Sequence, residues 1–174
     1  MSLQTKVTET AEVAILCQNH RIYLEHAAKI GSKDSERRIT FRTSALWKSG
    51  RAGLDAHGSL RIYFAPSAEG DVVAYQASLV DILLEPEADD PQTQRLLEHC
   101  LPETSDQGLW EAYDERVRTL YVISHCDWVE PPFSYTELTK LSDGTPVDEN
   151  YNYGYTLVYE YCPRCQASPC RCGG

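Results

Sequence analysis

Three residues that can bind an anion, Lys33, Glu36 and Arg38, lie in one short polar stretch near the N-terminus. Lys33 and Arg38 can hold a phosphate, and Glu36 can orient the two cations or accept a hydrogen bond from a nucleobase. Lys33 and Glu36 could also do acid–base chemistry if burial adjusted their proton affinities. An ion pair that only holds the turn is the structural alternative.

The flanking sequence places this stretch between a helix and a strand. An apolar segment predicts a helix over residues 19–30, with an inward face that begins at Ile22. Gly31 is expected to end this helix, because glycine readily adopts the left-handed conformation common at helix ends. The alternating pattern of residues 39–43 then predicts a strand. The polar stretch is therefore expected to form a helix-to-strand turn at the rim of a sheet.

The charge of the chain is uneven. The net charge is −10, which weighs against non-specific binding to nucleic acid, because such binding depends on neutralising phosphates. Residues 29–62 nevertheless carry eight Lys or Arg residues and three acids. Chance clustering on a solvated face is one explanation. The other is a basic cleft on an acidic body that attracts an anionic ligand, with Arg51 assisting at the phosphate.

Trp47 is the strongest single candidate for stacking on a base. It lies in a glycine-containing, cationic segment, residues 44–58, which is expected to be a long loop. A row of tyrosines over residues 151–161 is a second possible stacking platform, and cross-strand packing is the alternative explanation for that row.

The spacing Gly31-x-Lys33-x-x-Glu36-x-Arg38 resembles the G-x-K-x-x-E-x-R signature of the ASCH family, a branch of the PUA-like fold. The resemblance implies an α+β fold, a mixed β-barrel flanked by short helices, with RNA binding as the usual proposed role. One ASCH-like branch contains amidohydrolases that act on acylated nucleosides. Glu36 stands where that branch has its threonine nucleophile, so the resemblance does not carry this activity over.

Other segments agree with a small sheet-based domain. Residues 13–17 read as a buried strand, and residues 60–65 and 72–84 as a hairpin whose long second arm must bend. Helices are expected at residues 91–100 and 109–114, and a short helix at 135–141. Strands are expected at residues 117–124, before this short helix, and at residues 154–161, after it. We therefore expect one ASCH/PUA-like domain over residues 12–161.

The C-terminal tail, residues 162–174, contains four cysteines, Cys162, Cys165, Cys170 and Cys172. Four thiols in this spacing suit a tetrahedral, structural zinc site, a zinc knuckle that begins with a C-x-x-C pair. A reduced flexible tail and a mixed site that borrows His125 or Cys126 are the alternatives.

Length and composition set the remaining limits. No apolar run of the 174 residues approaches the roughly 20 needed to span a membrane, and the N-terminus lacks a signal-like apolar core. A cytoplasmic location is expected, where cysteines are thiols or metal ligands rather than disulfides. The favoured function is recognition of RNA or a modified nucleotide. A nucleic-acid-directed hydrolase using Lys33 and Glu36, and a protein-interaction adaptor, are the alternatives; the oligomeric state is left open.

Overall fold

One mixed six-stranded sheet organises the chain in the computed structural model, which describes residues 12–104, 116–152 and 154–172. The elements are β1 (Val13–Asn19), α1 (Arg21–Lys33), β2 (Ile39–Thr43), α2 (Lys48–His57), β3 (Leu60–Pro66), β4 (Val72–Leu84), α3 (Pro91–Leu97), β5 (Thr119–Ser134), a 3₁₀ turn (Tyr135–Glu137) and β6 (Tyr155–Tyr159). The strand order is β2-β5-β4-β3-β1-β6, with β1 parallel to β3 and the other pairs antiparallel. The α+β class is confirmed.

The expectation of a closed barrel is wrong for the described residues, because β2 and β6 form the two ends of an open sheet. Closure would require these two strands to pair. The outer edge of β2 is instead occupied by the chain that follows α3, since the Thr40 amide donates to the His99 carbonyl at 3.0 Å and Thr40 bridges Cys100. No described helix is both long and apolar enough to cross a bilayer.

The predicted hairpin of β3 and β4 is confirmed, and register shifts between β4 and β5 supply the expected bend. Other boundaries differ from the prediction. Residues 48–57 form α2 rather than a loop, and β5 continues through Pro131 and Pro132 to Ser134. The helix expected at 135–141 is only a single 3₁₀ turn, while the helix expected at 109–114 lies outside the described residues.

The two faces of the sheet are covered differently. The first face carries the largest apolar cluster, to which α1 contributes Leu24, Ala27 and Ala28 and α2 contributes Leu54. The second face carries two smaller clusters, one against α3 and one against residues 135–151. Ile22 is 66% exposed. The buried face of α1 is formed by Leu24, Ala27 and Ala28 instead, so the prediction of an inward face that begins at Ile22 is wrong.

Gly31 lies inside α1 and does not end it, because the helix continues to Lys33. Its role is close approach: a Cβ built on Gly31 would lie 2.1 Å from the Cys126 backbone oxygen. No real Cβ tolerates that distance to a backbone atom, so α1 can reach β5 here only with glycine. Gly31, the glycine of the G-x-K-x-x-E-x-R pattern, thus allows α1 to contact β5.

We expect Gly31→Ala to destabilise the protein by about 2–3 kcal/mol, since either α1 or β5 must move. Gly53→Ala is the matched control within α2. A Cβ at Gly53 would meet only the Leu60 side chain at 3.4 Å and the Leu157 side chain at 3.8 Å. Because alanine favours helix by about 1 kcal/mol, this control should be neutral or stabilising. Urea unfolding measures both; equal effects of the two substitutions would contradict the close-approach role.

Candidate functional site

The turn between α1 and β2 is fixed to the bend of β5. The backbone amide of His125 donates to the Ser35 carbonyl at 2.6 Å, and the Arg37 amide donates to the Asp34 carbonyl at 3.2 Å. The first bond, together with the contact at Gly31, holds the turn against β5, whereas the second lies within the turn. All residues from 32 to 38 are exposed.

Lys33 is the last residue of α1, and Glu36 and Arg38 follow it in the exposed segment before β2, where the sequence predicted a helix-to-strand turn. The segment also includes Arg37, which the sequence reasoning passed over although it lies in the same stretch. We call the segment from Lys33 to Arg38 the basic turn.

His125 extends the basic turn with an imidazole. Its backbone has a φ of 54°, a left-handed conformation unusual for a non-glycine residue, and its side chain is exposed. The Nδ1 atom lies 2.8 Å from the Ser124 hydroxyl. The sequence reasoning considered His125 only as a metal ligand, because nothing local in the strand pattern predicts this irregularity or its contact with Ser35.

Most of the other arginines are neutralised by carboxylates. The ion pairs are Arg21–Glu69, Arg51–Asp55, Arg51–Asp81, Arg61–Glu160, Arg116–Glu85 and Arg118–Glu85. Lys33, Arg37 and Arg38, in contrast, form no ion pair with any described residue. The basic turn therefore carries three cations that have no ion-pair partner among the described residues, together with two acids, Asp34 and Glu36. Its formal charge is 3 − 2 = +1 on a protein of net charge −10.

Trp47 does not belong to this site, and its predicted role in base stacking is wrong. Its side chain is 0% exposed. The indole stacks between Tyr121 and Tyr155, with ring centroids 4.3 and 4.6 Å away. Both aromatic faces are thus already occupied. Trp47 anchors the start of α2 in the core, and its backbone amide donates to the Thr119 hydroxyl at 3.1 Å.

The Arg51 side chain is also bonded to other residues of the domain. Its guanidinium donates to the Ile82 carbonyl at 2.6 Å and to the Asp81 carboxylate at 3.2 Å, and it pairs with Asp55. The hydrogen bond to Asp55 raises the pKa of Arg51 and lowers that of the Asp55 carboxyl. These bonds tie α2 to β4, so the expected assistance of Arg51 at a phosphate is wrong.

A shallow hollow of about 530 Å³ lies on the outer side of α1. Its lining consists of Arg21, Ile22, Glu25, His26, Lys29 and Glu103. Hydrogen bonds from Tyr75 and Trp128 lower the pKa of the Glu25 carboxyl, which keeps it charged. None of the residues predicted for the site lines this hollow. Its mixed charges do not favour an anion as the basic turn does.

The four tail cysteines form a cluster whose sulfur atoms all lie within 4.8 Å of one another. The Cys162 and Cys172 sulfurs are 3.7 Å apart. In a tetrahedral site with Zn–S bonds of about 2.3 Å, neighbouring sulfurs lie about 3.8 Å apart. The cluster can therefore hold a metal ion such as zinc. The predicted grouping is confirmed, and His125 and Cys126 take no part in it.

The chain around the cluster is anchored to the domain through Ser168, which is 4% exposed. Its hydroxyl donates to the Tyr159 carbonyl at 2.6 Å and accepts from the Thr139 amide at 3.0 Å. The Tyr161 ring stacks on Phe133 with centroids 4.0 Å apart. Ser168 thus joins the middle of the tail to the domain, and the Tyr161 ring packs against the domain just before the tail begins.

Hydrogen bonds within the cluster favour the thiolate form of Cys162. The bond from the Cys165 backbone lowers the pKa of the Cys162 thiol to about 6. The bond to Cys170 raises the pKa of the Cys172 thiol to about 12. A metal ion would hold all four sulfurs as thiolates and release the remaining protons.

We expect the purified protein to contain about one zinc ion per chain, bound by the four tail cysteines. Cys162→Ser and Cys170→Ser should each lose the metal, since a three-thiolate site binds far more weakly. Cys100→Ser, which changes a thiol outside the cluster, should retain it. Elemental analysis after gel filtration measures the metal. Wild-type protein free of zinc, or retention of zinc by both tail variants, would contradict the assignment.

Trp47→Ala should destabilise the protein by about 3–5 kcal/mol, because it empties the space between two aromatic rings. Trp47→Phe should recover a large part of this stability, since a smaller ring can still stack. Denaturant unfolding gives the free energies. A base-stacking residue would behave in the opposite way: stability would be preserved and only ligand binding would be lost.

No known protein family profile matches this chain, and no curated protein sequence matches it. Among solved structures, the chain is similar to the N-terminal domain of Staphylothermus marinus McrB. The TM-score is 0.36 and the identity 14%, over 70% of this chain and 76% of the other. A similarity this distant carries no argument about function. The ASCH resemblance stays a prediction, since no family profile supports it.

Proposed function

We propose that this protein binds nucleic acid, RNA or a modified nucleotide, through the basic turn. The observation that carries the proposal is the set of three exposed cations, Lys33, Arg37 and Arg38, which form no ion pair with any described residue and outnumber the two acids of the turn, Asp34 and Glu36. The hydrogen bond from the His125 amide of β5 to the Ser35 carbonyl holds the backbone of the turn in place, so the turn is organised before a ligand arrives. Preorganised cations lose less conformational freedom when they bind a phosphate.

Lys33, the two arginines and Glu36 have different roles in this proposal. Lys33 supplies a mobile point charge, and the arginines supply planar donors that fit phosphate oxygens in pairs. Glu36 lies between them and accepts a hydrogen bond from a base amino group or orients an arginine. Phosphate contacts give affinity, whereas the contact of Glu36 supplies base preference.

Acidic charge elsewhere explains why binding should be confined to this place. The net charge of −10 repels a polyanion from most of the surface. A strand that binds therefore contacts few phosphates, and affinity should be modest and sensitive to salt.

The hydrolase alternative receives less support. Lys33 and Glu36 are both exposed, and burial of the kind that tunes a general acid or base is found at neither. The cysteine cluster offers no open ligand position for catalysis if all four sulfurs bind the metal. We therefore propose that zinc serves structurally, and that it stabilises the tail against the domain.

The triple variant Lys33→Ala/Arg37→Ala/Arg38→Ala should bind a fluorescent single-stranded oligonucleotide at least about tenfold more weakly than wild type at low salt. The loss of three phosphate contacts should also reduce the slope of log affinity against log salt by about 2. Fluorescence anisotropy across a salt series measures both quantities, with RNA and DNA of the same sequence.

The matched control is Lys48→Ala/Arg95→Ala, which removes exposed cations from α2 and α3. It should bind as wild type does. Equal affinities of the triple variant and wild type would overturn the proposal, as would a wild-type protein that binds no oligonucleotide at low salt.

A further inference from the structure

The backbone of the basic turn is folded back on itself. The Arg37 amide donates to the Asp34 carbonyl at 3.2 Å, which is the hydrogen bond of a β-turn over residues 34–37. The two ends of a β-turn lie within about 7 Å of each other. Lys33 directly precedes this turn and Arg38 directly follows it. The three cationic residues are therefore gathered at one place, and they do not form a row along the surface.

A gathered set of cations fits one phosphate better than it fits a chain of phosphates. A phosphate group at the end of a strand or on a free nucleotide is a monoester, with a charge near −2 and three oxygens that accept hydrogen bonds. An internal phosphodiester of a strand carries a single charge. Three donors at one place can each bond a different oxygen of a monoester, and charge-assisted bonds of this kind are the strong ones.

The charge outside the turn opposes a longer anion. The basic turn accounts for +1 of the net charge of −10, so the rest of the chain carries −11. Several arginines outside the turn are already paired with carboxylates. Each further phosphate of a bound strand would therefore lie over a surface that repels it.

Exposed carboxylates border the turn on two sides. Glu98 precedes the residue whose carbonyl binds the Thr40 amide at the edge of β2, and Asp127 lies two residues beyond His125, whose amide binds the turn. Neither carboxylate forms an ion pair with a described residue. On the side of α1 lies one exposed cation, Lys29, one helical turn before the basic turn. A strand that continued past the turn on either of the first two sides would meet an acid.

We propose that the basic turn binds a single terminal phosphate, the phosphomonoester of a nucleotide or of the end of a single strand. This inference rests on the proposed function and names the class of its ligand. Lys33 supplies a point charge, and Arg37 and Arg38 each bond a phosphate oxygen. Glu36 is left for the base next to that phosphate.

The first test compares ligands that differ only in one phosphate. Single-stranded RNA tetramers and dodecamers are labelled at the 3′ end and carry a 5′-phosphate or a 5′-hydroxyl, and a second set has the two ends exchanged. Fluorescence anisotropy at low salt should show at least about tenfold tighter binding of the phosphorylated form for one of the two ends. A tetramer and a dodecamer with the same phosphorylated end should bind within about threefold of each other, since the added phosphates gain no cation.

Competition separates the two sources of a terminal phosphate. A nucleoside monophosphate that displaces the labelled tetramer, when the nucleoside does not, shows that a free nucleotide is sufficient. Displacement by the unlabelled phosphorylated tetramer alone shows that the ligand is a strand end. Either result supports the proposal.

The second test uses variants of the protein. Arg37→Ala and Arg38→Ala should each reduce the preference for the phosphorylated end by at least about threefold. The matched control is Lys29→Ala, which removes the same charge from an exposed position one helical turn away and should change the preference by less than about twofold. Glu98→Gln/Asp127→Asn should tighten binding of the dodecamer with hydroxyl ends by about threefold, and it should leave the phosphorylated tetramer within about twofold of wild type.

The outcomes distinguish this inference from the function on which it rests. Equal affinities of phosphorylated and hydroxyl-ended strands would overturn the inference, and the proposed function would stand if the basic-turn triple variant then lost binding. A preference for the phosphorylated end that the triple variant retained would overturn both, as would a wild-type protein that binds none of these ligands. Circular dichroism and the melting temperature check that each variant is folded.

Discussion

The contact between α1 and β5 determines where the basic turn lies. Helix and strand approach so closely at Gly31 that the Cys126 carbonyl occupies the space of a side chain. Immediately beyond, the His125 amide bonds to the Ser35 carbonyl. Two backbone-to-backbone contacts thus hold the end of the helix and the following turn on one strand. Within the part of the chain that the structure describes, the side chains of the turn form no hydrogen bond or ion pair, so the position of the turn depends on backbone contacts.

The sheet order separates the two chemical features of the molecule. The basic turn belongs to the β2 end, whereas the cysteine cluster is anchored next to β6 at the opposite end. The cluster therefore does not contribute ligands or shape to the turn. A metal ion held by the four sulfurs would link the segment from Cys162 to Cys172 to itself beside β6.

The features predictable from the sequence are those encoded by neighbouring residues. Alternation of apolar residues is a local signal, and it predicted the hairpin of β3 and β4. The C-x-x-C spacing likewise predicted that the four tail sulfurs come together. Trp47 shows the limit: its surroundings in sequence are polar, but its stacking partners Tyr121 and Tyr155 lie more than 70 residues away. Gly31 was recognised for the wrong reason, since its constraint comes from Cys126, which belongs to a distant strand.

The pairing of arginines with carboxylates has an electrical consequence for the whole molecule. Paired arginines contribute little to the electric field at a distance, because each is cancelled by its carboxylate. The field close to the basic turn is therefore set mainly by Lys33, Arg37, Arg38 and the two acids beside them. Because salt screens this field within about a Debye length, the attraction of an approaching anion to the turn should weaken as ionic strength rises.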